Sequence, residues 1–233
     1  MKRFLAAATM VVSLAAKAEP LGELFWEPGM QPARFARAGT QLVFPGVPSH
    51  GRAGPRATRI ALLSSGVAAR HPQLAGYVVE AADFTGEGPE DAIGLGTALA
   101  LVTLFGEGMR ETDLAIVSAK VADRTGRVRE RDVIEAIEWA AARGARVVHL
   151  GLGFRGTRSE HAELCDTIRR HWNVLFFASA GDFPRPTEIY PANCRVPNLH
   201  PTWANPAARP LVDLAPDEVL GPGMARLVIN MEK

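Results

Sequence analysis

The chain has 233 residues, nearly half of them apolar, with 26 basic and 25 acidic side chains and a formal charge of +1. With no low-complexity tract and no internal repeat, this composition excludes a disordered protein and argues against a generic binder of nucleic acid or anionic membrane. Its length suits one sizeable globular domain.

Met1-Lys2-Arg3 is a short basic start, Phe4 to Ala15 is an apolar run, and Ala16-Lys17-Ala18 has a small-x-small pattern. That order reads as a secretory signal peptide over residues 1–18, cleaved after Ala18, because the run is too short to span a bilayer. An N-terminal core helix is the alternative. No later stretch is long and apolar enough for a membrane span. Without Lys2, Arg3 and Lys17 the 26 basic residues fall to 23 against 25 acidic ones, a net charge of about −2. The expected location is secreted or periplasmic. In an exported chain Cys165 and Cys194 are more often bridged than free. A closed loop of about thirty residues would restrict the unfolded chain by roughly 3–4 kcal/mol. Two unlinked buried thiols are the other possibility. No His/Cys pair stands at ligand spacing, so neither a metal nor a cofactor is expected.

Residues 19–57, rich in Pro, Gly and Arg, read as an irregular arm packing on the domain. Arg59 to Leu63 is a continuous apolar strand ending at Ser64-Ser65-Gly66, as suits a sheet buried on both faces. His71-Pro72-Gln73-Leu74-Ala75-Gly76 follows. Asp83, Glu87, Glu90 and Asp91 lie in a Gly-rich stretch without the alternating oxygen ligands of a calcium loop, and read as a solvated surface loop. Gly96 to Phe105 is apolar almost all round, a helix that belongs inside a protein. Leu114 to Val121 is the next strand. Val133, Ile134, Ile137, Ala140 and Ala141 then mark one helical face, and Gly144 supplies the stop. Short apolar runs alternating with helical patterns signal an α/β fold with a mainly parallel sheet. Gly151-Leu152-Gly153-Phe154-Arg155-Gly156 satisfies G-x-G-x-x-G. The next strand, Val174 to Phe177, lacks the acidic end a dinucleotide site needs, and the following helix starts too far from the glycines.

Ile60-Ala61-Leu62-Leu63-Ser64-Ser65-Gly66-Val67, Gly94-Leu95-Gly96-Thr97-Ala98, Phe177-Ala178-Ser179-Ala180-Gly181-Asp182 and Gly221-Pro222-Gly223-Met224-Ala225 stand in that order. They resemble the landmarks of the subtilisin-like serine proteases (subtilases, peptidase S8), which read V-x-V-I-D-[ST]-G, x-H-G-T-H, x-A-A-G-N and G-T-S-M-A. Ala136-Ile137-Glu138-Trp139-Ala140, Gly144-Ala145 and Val147 to Gly153 similarly match A-I-E-W-A, G-A and V-I-N-M-S-L-G. The likeness spans roughly residues 58 to 225. It implies a three-layer α/β/α subtilisin-like domain over residues 58–233. That domain would be shortened at its C-terminus, because only four residues separate Val212-Asp213-Leu214-Ala215-Pro216 from Gly221. Tyr190-Pro191-Ala192-Asn193-Cys194 resembles a Y-P-A-N-C stretch of secreted subtilases and implies a disulfide from Cys194 to Cys165 on the preceding helix.

The resemblance also says which positions should carry chemistry. Carried over residue by residue, the acid falls on Ser64, the general base on Leu95, the nucleophile on Gly223 and the oxyanion-hole amide on Asp182. Acyl transfer needs a hydroxyl nucleophile, an imidazole, an orienting carboxylate and an oxyanion donor. Leu95 cannot accept a proton, Gly223 has no side chain, Ser64 is a neutral hydroxyl, and an ionised Asp182 would repel an oxyanion. Losing the serine or histidine alone costs on the order of 10⁶-fold in turnover in a subtilisin. If Gly221 to Ala225 is instead a chance likeness, a nucleophile is still missing, since no serine lies beyond Ser179. The six histidines are scattered. His149 takes the Asn of V-I-N-M-S-L-G and is expected to make a structural hydrogen bond.

The resulting expectation is an exported, catalytically inactive pseudoprotease that binds an extended peptide or a protein partner. Strand addition would use the backbone of Gly151, Leu152 and Gly153 on one side and Ala178, Ser179, Ala180 and Gly181 on the other. A divergent serine endopeptidase with relocated catalytic residues is the alternative from the enzyme class. A decaying remnant with no role is the third.

Overall fold

The computed structural model describes residues 18–21, 24–27, 51–105, 113–179 and 189–202, with the side chains of residues 18–21, 24–27 and Val102 excepted. Strands β1 (Ala18–Leu21) and β2 (Leu24–Glu27) pair as a short antiparallel ribbon. The domain is organised by the apolar strand β3 (Thr58–Ser64), which pairs in parallel with β5 (Leu114–Lys120) on one side and β6 (Val147–Leu150) on the other. Beyond them lie β4 (Val78–Asp83), β8 (Leu175–Ser179) and β10 (Leu199–Thr202). The six-stranded sheet has the order β10-β8-β6-β3-β5-β4, and every pairing in it is parallel. All seven residues of β5, and all of β3 except Arg59, are buried, as a sheet covered on both faces requires.

Helix α1 (Leu95–Phe105) follows β4, α2 (Glu130–Ala142) follows β5, and α3 (Ala162–Arg170) follows β6. The two faces of β3 show where each helix lies. Ser64 shares a face with Leu62, and a Cβ placed on Gly151 beside it would sit 3.6 Å from Ser64 Oγ and 3.4 Å from Leu99 of α1. Arg59, on the opposite face, donates to the Arg143 carbonyl at the end of α2 (2.7 Å) and to Glu80 (2.7 Å). Helices α2 and α3 are joined through Glu138, which accepts from Arg170 and pairs with His171. The layers are therefore α1, sheet, then α2 with α3.

The connections through α1, α2 and α3 all step across the sheet in one direction, towards β10. Because α1 lies on the other face, its crossover has the opposite hand from the other two, against a rule that parallel crossovers almost always obey.

Local chemistry fixes the helix limits. Val133, Ala136, Ile137 and Ala140 form the buried stripe of α2. Gly144 (φ +75°) ends it, its N–H bonding Ala141 O while Ala145 N–H reaches Ala140 O. In α1 the buried residues Ala98, Leu99, Ala100, Leu101 and Leu104 lie all round the helix. The disulfide Cys165–Cys194 (Cα–Cα 5.2 Å) ties α3 to a 3-10 turn at Ala192–Cys194, just after the cis Tyr190–Pro191 bond. Finally β7 (Phe154–Arg155) pairs antiparallel with β9 (Ile189–Tyr190).

Candidate functional site

The carboxyl ends of β3, β6 and β8 and the start of α1 meet at one end of the sheet, the end where parallel α/β sheets place ligands. Ser64 closes β3, and Leu95 opens α1. Their chain neighbours are in direct contact. Gly96 N–H donates to Ser65 Oγ (3.0 Å), and a Cβ on Gly96 would lie 1.9 Å from the Gly66 carbonyl oxygen. Gly66 itself has φ +95° and backs onto the Pro89 carbonyl, so both glycines are required by the close approach.

Asp91 organises this junction. Its Oδ1 accepts from Ser65 Oγ (2.8 Å), Ile93 N–H (3.1 Å) and Gly94 N–H (2.7 Å); its Oδ2 accepts from Thr97 N–H (2.8 Å) and Thr97 Oγ1 (2.6 Å). The carboxylate thus satisfies donors that the first turn of α1 would otherwise leave open and complements the positive end of its dipole. Thr97 Oγ1 in turn accepts from Ala68 N–H (3.0 Å).

This corrects the reading of the acidic stretch as a solvated loop. Only Glu90 of the four side chains belongs to an exposed residue. Asp83 accepts from Thr85 N–H, Thr85 Oγ1 and Gly88 N–H. Burial pushes its pKa up, but these hydrogen bonds and the charge of Lys120 outweigh it and hold the group below the usual carboxylate range. Glu87 is likewise lowered: burial opposes, while hydrogen bonds from Arg124 and Lys120 prevail. Lys120 is buried beside Ser64 in register, its Nζ 3.2 Å from Glu90 O and 3.3 Å from Glu87. A carboxylate just ahead of a helix start was the sequence signal for the Asp91 role, and the calcium-loop comparison passed over it.

Gly151 N–H donates to Leu63 O (3.2 Å), and a Cβ on Gly153 would lie 2.6 Å from Ile189 Cγ2, 3.6 Å from Tyr190 O and 3.8 Å from Ser179 O. The loop Gly151–Gly153 therefore runs beside the end of β8, with the Leu152 side chain buried beneath it. Ala178 is buried within β8 and Ser179 is half-buried at its end. Ala180, Gly181, Asp182 and Gly223 lie outside the described residues. The glycine fingerprint leads into β7 rather than a helix, and α3 begins only at Ala162.

No serine–histidine pair forms from Ser64, Ser65 or Ser118. Ser64 is 2% exposed and its Oγ has no hydrogen-bond partner, and Ser118 Oγ is equally buried and unpartnered. Ser65 Oγ is committed to Asp91 and Gly96. His149 Nδ1 is shielded without a hydrogen-bond partner. Burial lowers its pKa to about 4, so the ring is neutral at physiological pH. His71 is a turn residue whose Nδ1 accepts from Gln73 N–H (3.3 Å). Among the described residues no cluster of three or more His, Cys, Asp or Glu could hold a metal, and no helix is long and apolar enough to cross a membrane.

A mainly parallel six-stranded sheet with flanking helices is an α/β fold consistent with a subtilisin-like domain. No family model matches the chain. Over 144 residues it is 33% identical to thermitase of Thermoactinomyces vulgaris, a subtilisin-like protease, covering 58% of this chain and 50% of thermitase. The chain thus spans about half the length of the curated relative it matches, and that similarity supports a relationship to the subtilases.

Proposed function

We propose that this chain is an exported, subtilisin-like pseudoprotease that binds an extended peptide or protein segment without cleaving it, in a regulatory role. Residues 1–18 act as a signal peptide, residues 19–57 as an arm, and residues 58–233 as the subtilisin-like domain. The observation that carries this reading is the junction of β3 with α1. Its supporting framework (Asp91, Ser65, Gly66, Gly96 and Thr97) is intact, yet it presents a buried, unpartnered Ser64 and a buried Leu95 where the family needs a carboxylate and an imidazole.

Beside that junction, the closely packed backbone of Gly151–Gly153 and the end of β8 offer main-chain groups for strand addition. The test is fluorescence anisotropy of a panel of fluorescein-labelled nonapeptides against the purified chain, with each mixture then checked for fragments by mass spectrometry. Saturable binding with intact peptide is expected. Cleavage would replace this reading with the divergent serine endopeptidase, and absence of binding across the panel would remove the peptide-binding role.

A further inference from the structure

His161 lies far from the Ser64–Leu95 junction in sequence and takes no part in the chemistry considered above. It precedes the first residue of α3, is buried, and has both ring nitrogens engaged. Nδ1 pairs with Glu130 Oε2 in the first turn of α2, and Nε2 contacts the Arg155 carbonyl oxygen in β7 (3.2 Å). The ring also stacks between Phe154 (centroids 5.7 Å) and Tyr190 (4.9 Å), which are directly opposite each other across β7 and β9. One side chain therefore joins two helices to both strands of the ribbon.

The ribbon is what seats the Gly151–Gly153 loop. Phe154 follows Gly153 directly, and Gly153 is wedged against Ile189 and Tyr190 of β9 and against the Ser179 carbonyl of β8. A two-residue pairing has little stability of its own, so its position must be set by what packs on it. We infer that Glu130 and His161 form a clamp that fixes the β7–β9 ribbon, and through it the backbone of Gly151–Gly153. His161 is a positioning residue rather than a contact residue. Its consequence for peptide binding rests on the reading proposed above, whereas the clamp itself can be measured without any peptide.

The test is amide hydrogen exchange on the full chain and three variants. Glu130→Ala removes the partner of Nδ1. Glu130→Gln keeps one, because an amide can accept from that nitrogen or donate to it. His161→Phe keeps an aromatic stack and removes both polar contacts. In Glu130→Ala and His161→Phe the amides of β7 and β9 should exchange at least about tenfold faster, with β3 and β5 unchanged. Glu130→Gln should stay within about threefold of the parent.

Parent-like exchange in both disrupting variants would overturn the clamp, and so would Glu130→Gln behaving like Glu130→Ala. If Glu130→Ala exposes β3 and β5 as well, His161→Phe decides the matter. In the nonapeptide assay the disrupting variants should bind about tenfold more weakly, through loss of preorganisation. Unchanged affinity alongside a loosened ribbon would sink the positioning role and leave the peptide reading standing. If the parent binds no nonapeptide, the peptide reading falls and the exchange data alone decide the clamp.

Discussion

Asp91 and Ser65 are joined by a 2.8 Å hydrogen bond that ties the loop entering α1 to the end of β3. Ser65 Oγ passes the connection on by accepting from Gly96 N–H, so strand end, loop and helix start are locked as one unit. Ser64 ends that strand and Leu95 opens that helix, so the lock also fixes these two residues against each other.

The lock should be stabilising in its own right. Asp91→Ala leaves the N–H groups of Ile93, Gly94 and Thr97 and the Ser65 hydroxyl without an acceptor. It should cost about 2–4 kcal/mol in chemical denaturation. Asp91→Asn keeps one acceptor oxygen and should cost roughly half as much. A loss within 0.5 kcal/mol, roughly the noise of a neutral surface change, would mean that α1 is held by its burial alone.

Acid should unfold the protein in two stages. His149 has a folded-state value of about 4 against an ordinary 6.5, so the unfolded chain takes the proton first. Its contribution is fully present above pH 6.5 and fades as pH falls towards 4, by roughly 3 kcal/mol at most. Asp83, Glu87, Asp123 and Glu138 are all lowered, so their contributions are lost at still lower pH, as each falls through its depressed value. Urea midpoints measured from pH 8 to 3 should show both stages, and His149→Asn should shrink the first to the part contributed by His200, which burial also lowers, while keeping the second.

Glycine substitutions should separate close approach from open space. Gly96→Ala drives a Cβ into the Gly66 carbonyl, which cannot swing aside, and should cost more than about 3 kcal/mol or prevent folding. Gly144→Ala meets nothing within 4 Å and suffers only from φ +75°, so about 1 kcal/mol is expected. Thermal denaturation of the pair checks the contrast, and equal losses would contradict the packing at the strand–helix junction.

The Cys165–Cys194 bridge closes a sequence separation of 29 residues. Replacing both cysteines with alanine should lower stability by roughly 3–4 kcal/mol. An unchanged denaturation midpoint would show that α3 and the turn at Ala192–Cys194 are held by packing alone.

Much of the fold was legible in the sequence because burial on both faces leaves unbroken apolar runs. Arg59 to Leu63 and Leu114 to Val121 stand within a residue of the observed strands, and α1 begins one residue earlier than its apolar stretch suggests. The parallel sheet followed from the alternation of such runs with helices. The opposite hand of the α1 crossover did not, since which face a helix takes is set by tertiary packing that no local pattern encodes. In the site, the identities of Ser64 and Leu95 carry the proposal of an inactive centre, but they did not tell which groups hold the junction together. Asp91 looked like one acid among four until its five donors were in place. The role of His161 was equally hidden, because Glu130, Phe154 and Tyr190 come from separate parts of the chain.

The proposed function requires that no serine of this chain act as a nucleophile, which is checked by treating the purified chain with a fluorophosphonate probe and locating any adduct by mass spectrometry. No serine adduct is expected under conditions that fully label an active subtilase. Stoichiometric labelling of a single serine, abolished by changing that serine to alanine, would contradict it.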